Sequence, residues 1–228
     1  MESFTRKGPF IYSHEETFLP IFTDNLHQCI LLRKGEIFLP YINETMIGYI
    51  KKGILKVTLS NDEGEERLMW FLEENCIIST FSKLFSQKTI ALKPTEILLM
   101  NRERFFDIIS TNRRFFDLFI SQIYQKYEYC IDNLLVQDKK TSKIKVYTLL
   151  QQLGKLYGTI QPDKSIYVKN FLTRSEMSSI TGVHRSNIIK YITELEQMGI
   201  IDKEKKAIVI KQPQLLDTLI QTNDDSDA

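Results

Sequence analysis

The spacing of hydrophobic and polar positions changes period along this chain. From about Leu19 to Arg104, apolar residues alternate with polar ones or gather in short runs between turn residues. "ILLRKGEIFL" places an apolar run on either side of Gly35, and "MIGYIKKGILKVTLS" alternates around Gly53. "NDEGEE" supplies turn chemistry before "RLMWFL", and "EILLMNRE" closes the series. Strand-like segments at intervals of about ten residues predict an antiparallel barrel or roll. A helical reading of this section is poor.

From Asn112 to Asp138 the period lengthens. Phe116, Ile120, Ile123, Tyr127, Cys130 and Leu134 make a seam sustained over about three heptads. Phe119, Tyr124, Ile131 and Leu135 form a second stripe suited to packing on the roll. This predicts a long helix with one face for its own domain and another for a second copy of the chain. A single wide face buried within the chain is the alternative. "VQDKKTSK" then reads as a hinge, followed by a helix at about Lys143–Leu156 that Gly158 and Pro162 end. "SIYVKNF" reads as a short strand.

The next stretch, "TRSEMSSITGVHRSNIIKYITELEQMGII", holds two helical patterns separated by Thr181-Gly182-Val183. Thr173 and Glu176 fit a capping box, Gly182 suits a tight turn with positive φ, and Gly199 suits a C-terminal cap. The second helix, from about His184 to Met198, buries Ile188, Ile192 and Leu195 and presents Arg185, Ser186, Asn187 and Lys190. "GIIDKEKKAIVI" follows as a β-hairpin wing with Lys203, Lys205 and Lys206 at its tip. A winged helix-turn-helix of this kind supplies a helix for the major groove and lysines for phosphate.

Charge sharpens the reading once it is divided. Residues 138–212 hold 14 Lys and Arg against 7 Asp and Glu, a net of +7, whereas residues 1–137 hold 16 against 18. A basic block beside a near-neutral one is the footprint of a nucleic-acid-binding domain joined to something else. An αα-hairpin used only for packing would leave that block unexplained. The last residues form an acidic tail, "NDDSDA", expected to fray. No apolar run reaches the roughly 20 residues of a membrane span, and no secretory signal is read, so the expected compartment is the cytoplasm. Cys29, Cys76 and Cys130 lie far apart and give neither a zinc-ligand pattern nor a disulfide framework. Cys130 is either a small apolar residue on the seam or a redox switch. No G-x-S-x-G, HExxH, Walker loop or dinucleotide fingerprint occurs, so no enzyme activity is expected.

With these residues in place, the sequence resembles the CRP/FNR superfamily of bacterial transcription regulators along nearly its whole length. The "TRSEM…MGII" stretch matches that family's recognition motif, and "KKGILKVTLSNDEGEERLMWFL" matches its roll. The resemblance implies an α+β fold: an N-terminal antiparallel β-roll of the cupin-like sensor type, a long dimerisation helix and a C-terminal winged helix-turn-helix. The expected divisions are an arm at 1–18, the roll at 19–110, the dimer helix at 111–137, and the winged domain with its acidic tail at 138–228. It implies a homodimer on double-stranded DNA with an inverted-repeat operator, and contact with RNA polymerase. It places DNA contacts at Thr173, Arg174, Ser175, His184, Arg185, Ser186, Asn187 and Lys190, with Arg185 reading guanine. Ser186 stands where the best-known members carry a glutamate, which puts their usual half-site in doubt. Ile188 would favour thymine methyls only if it pointed outward.

The sensor end departs from the family. "CIISTFSKLFSQKTIALKPTE" lacks the Gly-Glu and Arg that hold a cyclic nucleotide, so cyclic AMP and GMP are not expected. An iron–sulfur cluster lacks its cysteines, and haem would have only His14 or His27 early in the chain. No cofactor is expected. The roll's interior suggests a small aromatic or apolar acid bound by Tyr49, Trp70, Asn75, Ser79, Thr80, Tyr124 and Tyr127, and plain core packing is the alternative. The spacing here is similar to that of the chlorophenol-sensing, dehalorespiration branch. There a pocket lysine favours the phenolate, and the position matching it here is Thr80. The reading is thus a regulator gated by a small non-nucleotide effector, with a constitutive or redox-controlled regulator of the same fold as the alternative.

Overall fold

A computed structural model describes residues 10–11, 18–38, 45–60, 62–63, 66–78, 86–135, 140–169, 172–204 and 207–224. The chain divides into two compact units, one over Pro9–Cys130 and one built on Ile131–Ala228.

In the first unit the order is β1 (Phe10–Ile11), α1 (Leu19–Asp24), β2 (Gln28–Leu32), β3 (Ile37–Phe38), β4 (Met46–Lys52), β5 (Leu55–Ser60), β6 (Glu66–Leu72), β7 (Ile77–Ile78), β8 (Ser86–Ala91), β9 (Thr95–Asn101), α2 (Arg102–Thr111) and α3 (Arg113–Leu135). The strands make two sheets, β1-β6-β5-β8-β3 and β2-β9-β4-β7. The described pairings are antiparallel except β1 on β6, which is parallel and joins Phe10 to Phe71. The second sheet is covered on both faces, and β9 shows how. Ile97 and Leu99 pack with Leu55, Val57 and Ala91 of the other sheet. Leu98 and Met100 pack with Phe22, Phe105 and Phe119 of the helices. A strand buried on both faces reads as a continuous apolar run, which is the pattern of "EILLM".

Two helices stand where the sequence reads as strands or as their end. α1 is a single short turn-and-a-half with Pro20 at its start, too brief for a period to show; it buries Ile21 and Phe22. α2 is capped by the Asn101 side chain, which accepts from the Arg104 amide at 2.9 Å, and it buries Phe105 and Ile109 one turn apart. Stacking of Phe22 on Tyr49 (centroids 5.2 Å apart) and edge contacts of Phe105 with Phe18 and Phe119 fill the space under the helices.

The second unit runs α4 (Ser142–Tyr157), β10 (Gly158–Ile160), β11 (Ile166–Lys169), α5 (Arg174–Thr181), α6 (Arg185–Gln197), β12 (Ile201–Glu204), β13 (Ala207–Ile210) and α7 (Pro213–Asp224). Its sheet has the order β10-β11-β13-β12. α7 was not expected from the tail. It docks through Leu216 and Ile220, with Asp217 accepting from Gln151 of α4 at 2.6 Å.

Candidate nucleic-acid interface

Local chemistry builds the helix pair. Thr173 accepts from the Glu176 amide at 3.2 Å, while Glu176 accepts from the Thr173 amide at 2.8 Å, closing the capping box that starts α5. Gly182 ends that helix with φ +67 and its amide on the Ser178 carbonyl. A Cβ there would meet nothing within 4 Å, so the glycine serves conformation and not space. His184 caps α6, its Nδ1 accepting from the Ser186 amide. Ile188, Ile192 and Leu195 are buried at helical spacing and fix which side of α6 faces out.

That outer side carries the residues the sequence singled out. Thr173, Arg174, Ser175, His184, Arg185, Ser186, Asn187 and Lys190 are all exposed. Arg185 reaches across the helix pair and donates from Nη2 to Ser175 Oγ at 2.8 Å, and His184 Nδ1 lies 2.8 Å from Ser186 Oγ. Ile188, considered for thymine methyls, is fully buried and cannot reach a base edge. Its neighbour Ile189 is 40% exposed. Thr173, Arg174, Ile189 and Lys203 share the walls of a groove of about 320 Å³ between the helix pair and the wing.

Behind α6, Lys143 of α4 pairs with Glu194, which raises the lysine's pKa, and its ammonium lies 5.7 Å from the centre of the Tyr147 ring. In the wing, Lys203 donates to Thr193 Oγ1 at 3.0 Å and pairs with Glu196 Oε2 at 2.6 Å, while Lys211 pairs with Asp202. Lys205 and Lys206 lie outside the described residues.

The residues expected around an effector divide. Tyr49 is buried, and its hydroxyl donates to Asn75 Oδ1 at 2.6 Å, with Asn75 held at φ +70. Trp70 is half-buried and stands under Lys126 of α3, whose Nζ is 5.7 Å from the ring centre. Tyr124 and Tyr127 are not brought to this group: each is 60% exposed, Tyr124 contrary to its place on the roll-facing stripe. Ser79 and Thr80 lie outside the described residues. The face of α3 that meets the roll is Phe119, Gln122, Lys126 and Tyr129, one residue behind the apolar seam. Gln122 accepts from the Ile77 amide and donates to the Asn75 carbonyl, both at 2.9 Å. Sequence reasoning passed over these polar residues because it tracked apolar ones. The spacing Phe115, Phe119, Gln122, Lys126, Tyr129 is the same heptad displaced by one. Desolvation lowers the Lys126 pKa to about 8, and burial pushes the neighbouring Cys76 thiol up to about 12. On the seam itself, Phe116 and Tyr127 are exposed and Ile120, Ile123 and Cys130 half-buried; the Leu134 side chain lies outside the described residues.

Residues 145–219 match the Crp-like helix-turn-helix domain. This chain carries a Crp-like helix-turn-helix domain. No curated protein matches the sequence. Solved structures extend the likeness beyond the Crp-like domain. A double mutant of CooA from Carboxydothermus hydrogenoformans superposes with a TM-score of 0.74 at 17% identity, over 92% of this chain and 98% of that one. A variant of CprK complexed with OCPA gives 0.68 at 19%, over 92% and 96%. A CRP/FNR-family transcriptional regulator from Thermus thermophilus gives 0.65 at 13%, over 86% and 100%. At such identities the shared property is the fold. Over residues 145–219 the likeness extends to the sequence, as a Crp-like helix-turn-helix domain. Among the described residues, no helix is long and apolar enough to cross a membrane.

Proposed function

We propose that the chain is a homodimeric transcription regulator that reads an inverted-repeat operator and is gated by a small acidic effector at the face between roll and α3. The observation that carries the DNA-reading part is the orientation of α6. Its buried stripe turns Arg185, Asn187 and Lys190 to solvent at the N-terminal end, the end that meets base edges in a helix-turn-helix. Arg185 offers a bidentate pair for guanine O6 and N7, and leaving Ser175 is the only rearrangement its described hydrogen bond demands. Thr173, Arg174, Ser175, His184, Ser186 and the wing's Lys205 and Lys206 would hold the backbone and set register.

The effector part is supported by Lys126. Its ammonium, 5.7 Å from the centre of the Trp70 ring, sets a cation and an aromatic face side by side, the pair that an anionic aromatic guest would use. Tyr49 and Asn75 border the same region, and CprK, which shares the fold, was captured with OCPA. Dimerisation is supported by the exposed aromatic side chains of α3, which leave an apolar stripe beside the roll-facing one. RNA polymerase is proposed as the further partner of the DNA-bound form. A second reading, a regulator with no small ligand, is favoured by Tyr49 being stacked on Phe22 at 1% exposure, as a filled core would have it.

Binding of the full-length protein to its own promoter region at fixed salt, with and without aromatic acids and halogenated phenols, separates the two. A gated regulator gains about tenfold or more in affinity from one compound class, and Lys126→Met loses that gain. Tight binding indifferent to every compound would establish the ungated reading instead.

A further inference from the structure

Lys203 sits on β12 in step with Ile201, which is fully buried, so both side chains point from the wing toward α6. Asp202, on the other face of the strand, is occupied by Lys211. The Lys203 ammonium meets two partners on one turn of the recognition helix, Thr193 Oγ1 at 3.0 Å and Glu196 Oε2 at 2.6 Å. Ile189, one turn toward the DNA-reading end, walls the groove beside it. A lysine at a wing tip usually reads as a phosphate contact. This one spends two of its three donors inside the domain, against the C-terminal half of α6.

We propose that Lys203 is a positioning residue: it fixes the wing to the recognition helix through Thr193 and Glu196, and so sets where the wing meets the DNA backbone relative to the bases α6 reads. Among the named wing lysines, phosphate contact then falls to Lys205 and Lys206. The role rests on the DNA-binding reading above, and the two make different demands on one experiment. A phosphate contact carries salt dependence without sequence information, and its loss lowers the salt slope by about one unit on any duplex. A strut carries no counterion; its loss blurs the alignment of wing and helix, which only the correct sequence rewards.

The test is salt-dependent binding of full-length protein to its promoter duplex and to random duplex; the latter at low salt needs no effector. Lys203→Gln and Thr193→Val should each weaken promoter binding about fivefold and lower the promoter-to-random ratio. Thr193→Val alters no charge, and the slope on random duplex should move by less than about half a unit for either variant. Exchanging the pair, Lys203→Glu with Glu196→Lys, should recover most of the loss. A slope reduced by about one unit in Lys203→Gln at an unchanged ratio, or an exchange weaker than Lys203→Gln alone, overturns the strut and returns Lys203 to phosphate. Wild-type protein that bound no duplex at any salt would sink the DNA-binding reading itself.

Discussion

Burial makes Lys126 the residue whose titration is easiest to read out. Its folded pKa, about 8, lies below the ordinary 10.5, so between those values the unfolded chain holds more protons than the folded one. Stability from this group therefore rises with pH through that window. The penalty it removes is on the order of 3 kcal/mol at 1.36 kcal/mol per unit. Cys76 works the other way above pH 9, because its folded thiol stays protonated up to about 12. Lys126→Met isolates the lysine: its advantage over wild type in denaturant unfolding should be largest below pH 8 and shrink toward pH 10.5. An advantage that stays constant with pH would mean the lysine is not desolvated in solution. At the DNA end, Arg185→Ala should cost about 1–3 kcal/mol at the operator and relax preference at one base pair per half-site. Competition with substituted operators reads this directly; an equal loss on random DNA would remove the base-reading role.

At the scale of elements, how much the sequence showed depended on how many faces of a segment are buried. α5 and α6 were legible because each has one buried face, α5 a capping box and Gly182 at its end, and α6 a glycine, Gly199, just past its end, and the structure reproduces these. α1 was hidden by its length, and α2 by its position directly after a strand buried on both sides. α3 was read as a helix, and Phe119 of its roll-facing stripe does pack there, but Tyr124 does not, and the roll side also uses Gln122 and Lys126. No apolar periodicity can find such a face, because Gln122 is satisfied by backbone atoms of another segment. Replacing Gln122 by Leu should leave the Ile77 amide and the Asn75 carbonyl without that partner and cost about 2–4 kcal/mol, with the loss confined to the first unit's unfolding transition. Calorimetry of wild type and variant would show it; an unchanged transition would mean that water replaces the amide.

For the whole molecule, the proposed dimer would form on the exposed seam of α3. Phe116 and Tyr127 stand out from α3 and would be costly to leave in water over a longer stripe. Phe116→Asp with Tyr127→Asp should shift the mass in sedimentation from dimer to monomer. Operator binding should then lose the advantage of two half-sites while single half-site binding persists. A double variant that stays dimeric would move the interface off this helix. The charge division along the chain has a matching effect: the +7 block concentrates attraction for DNA in the second unit, so salt should weaken DNA binding far more than it weakens assembly.

The two hydrogen bonds of Gln122 also limit how α3 can respond. Its side-chain amide takes the place of a peptide group against residues 75 and 77, as a neighbouring strand would. A slide of one residue, about 1.5 Å, or a turn of about 100° would break both bonds. Under the proposed gating the helix would act as a detent and not as a spring, and partial agonists would change the fraction of molecules in one notch or the next.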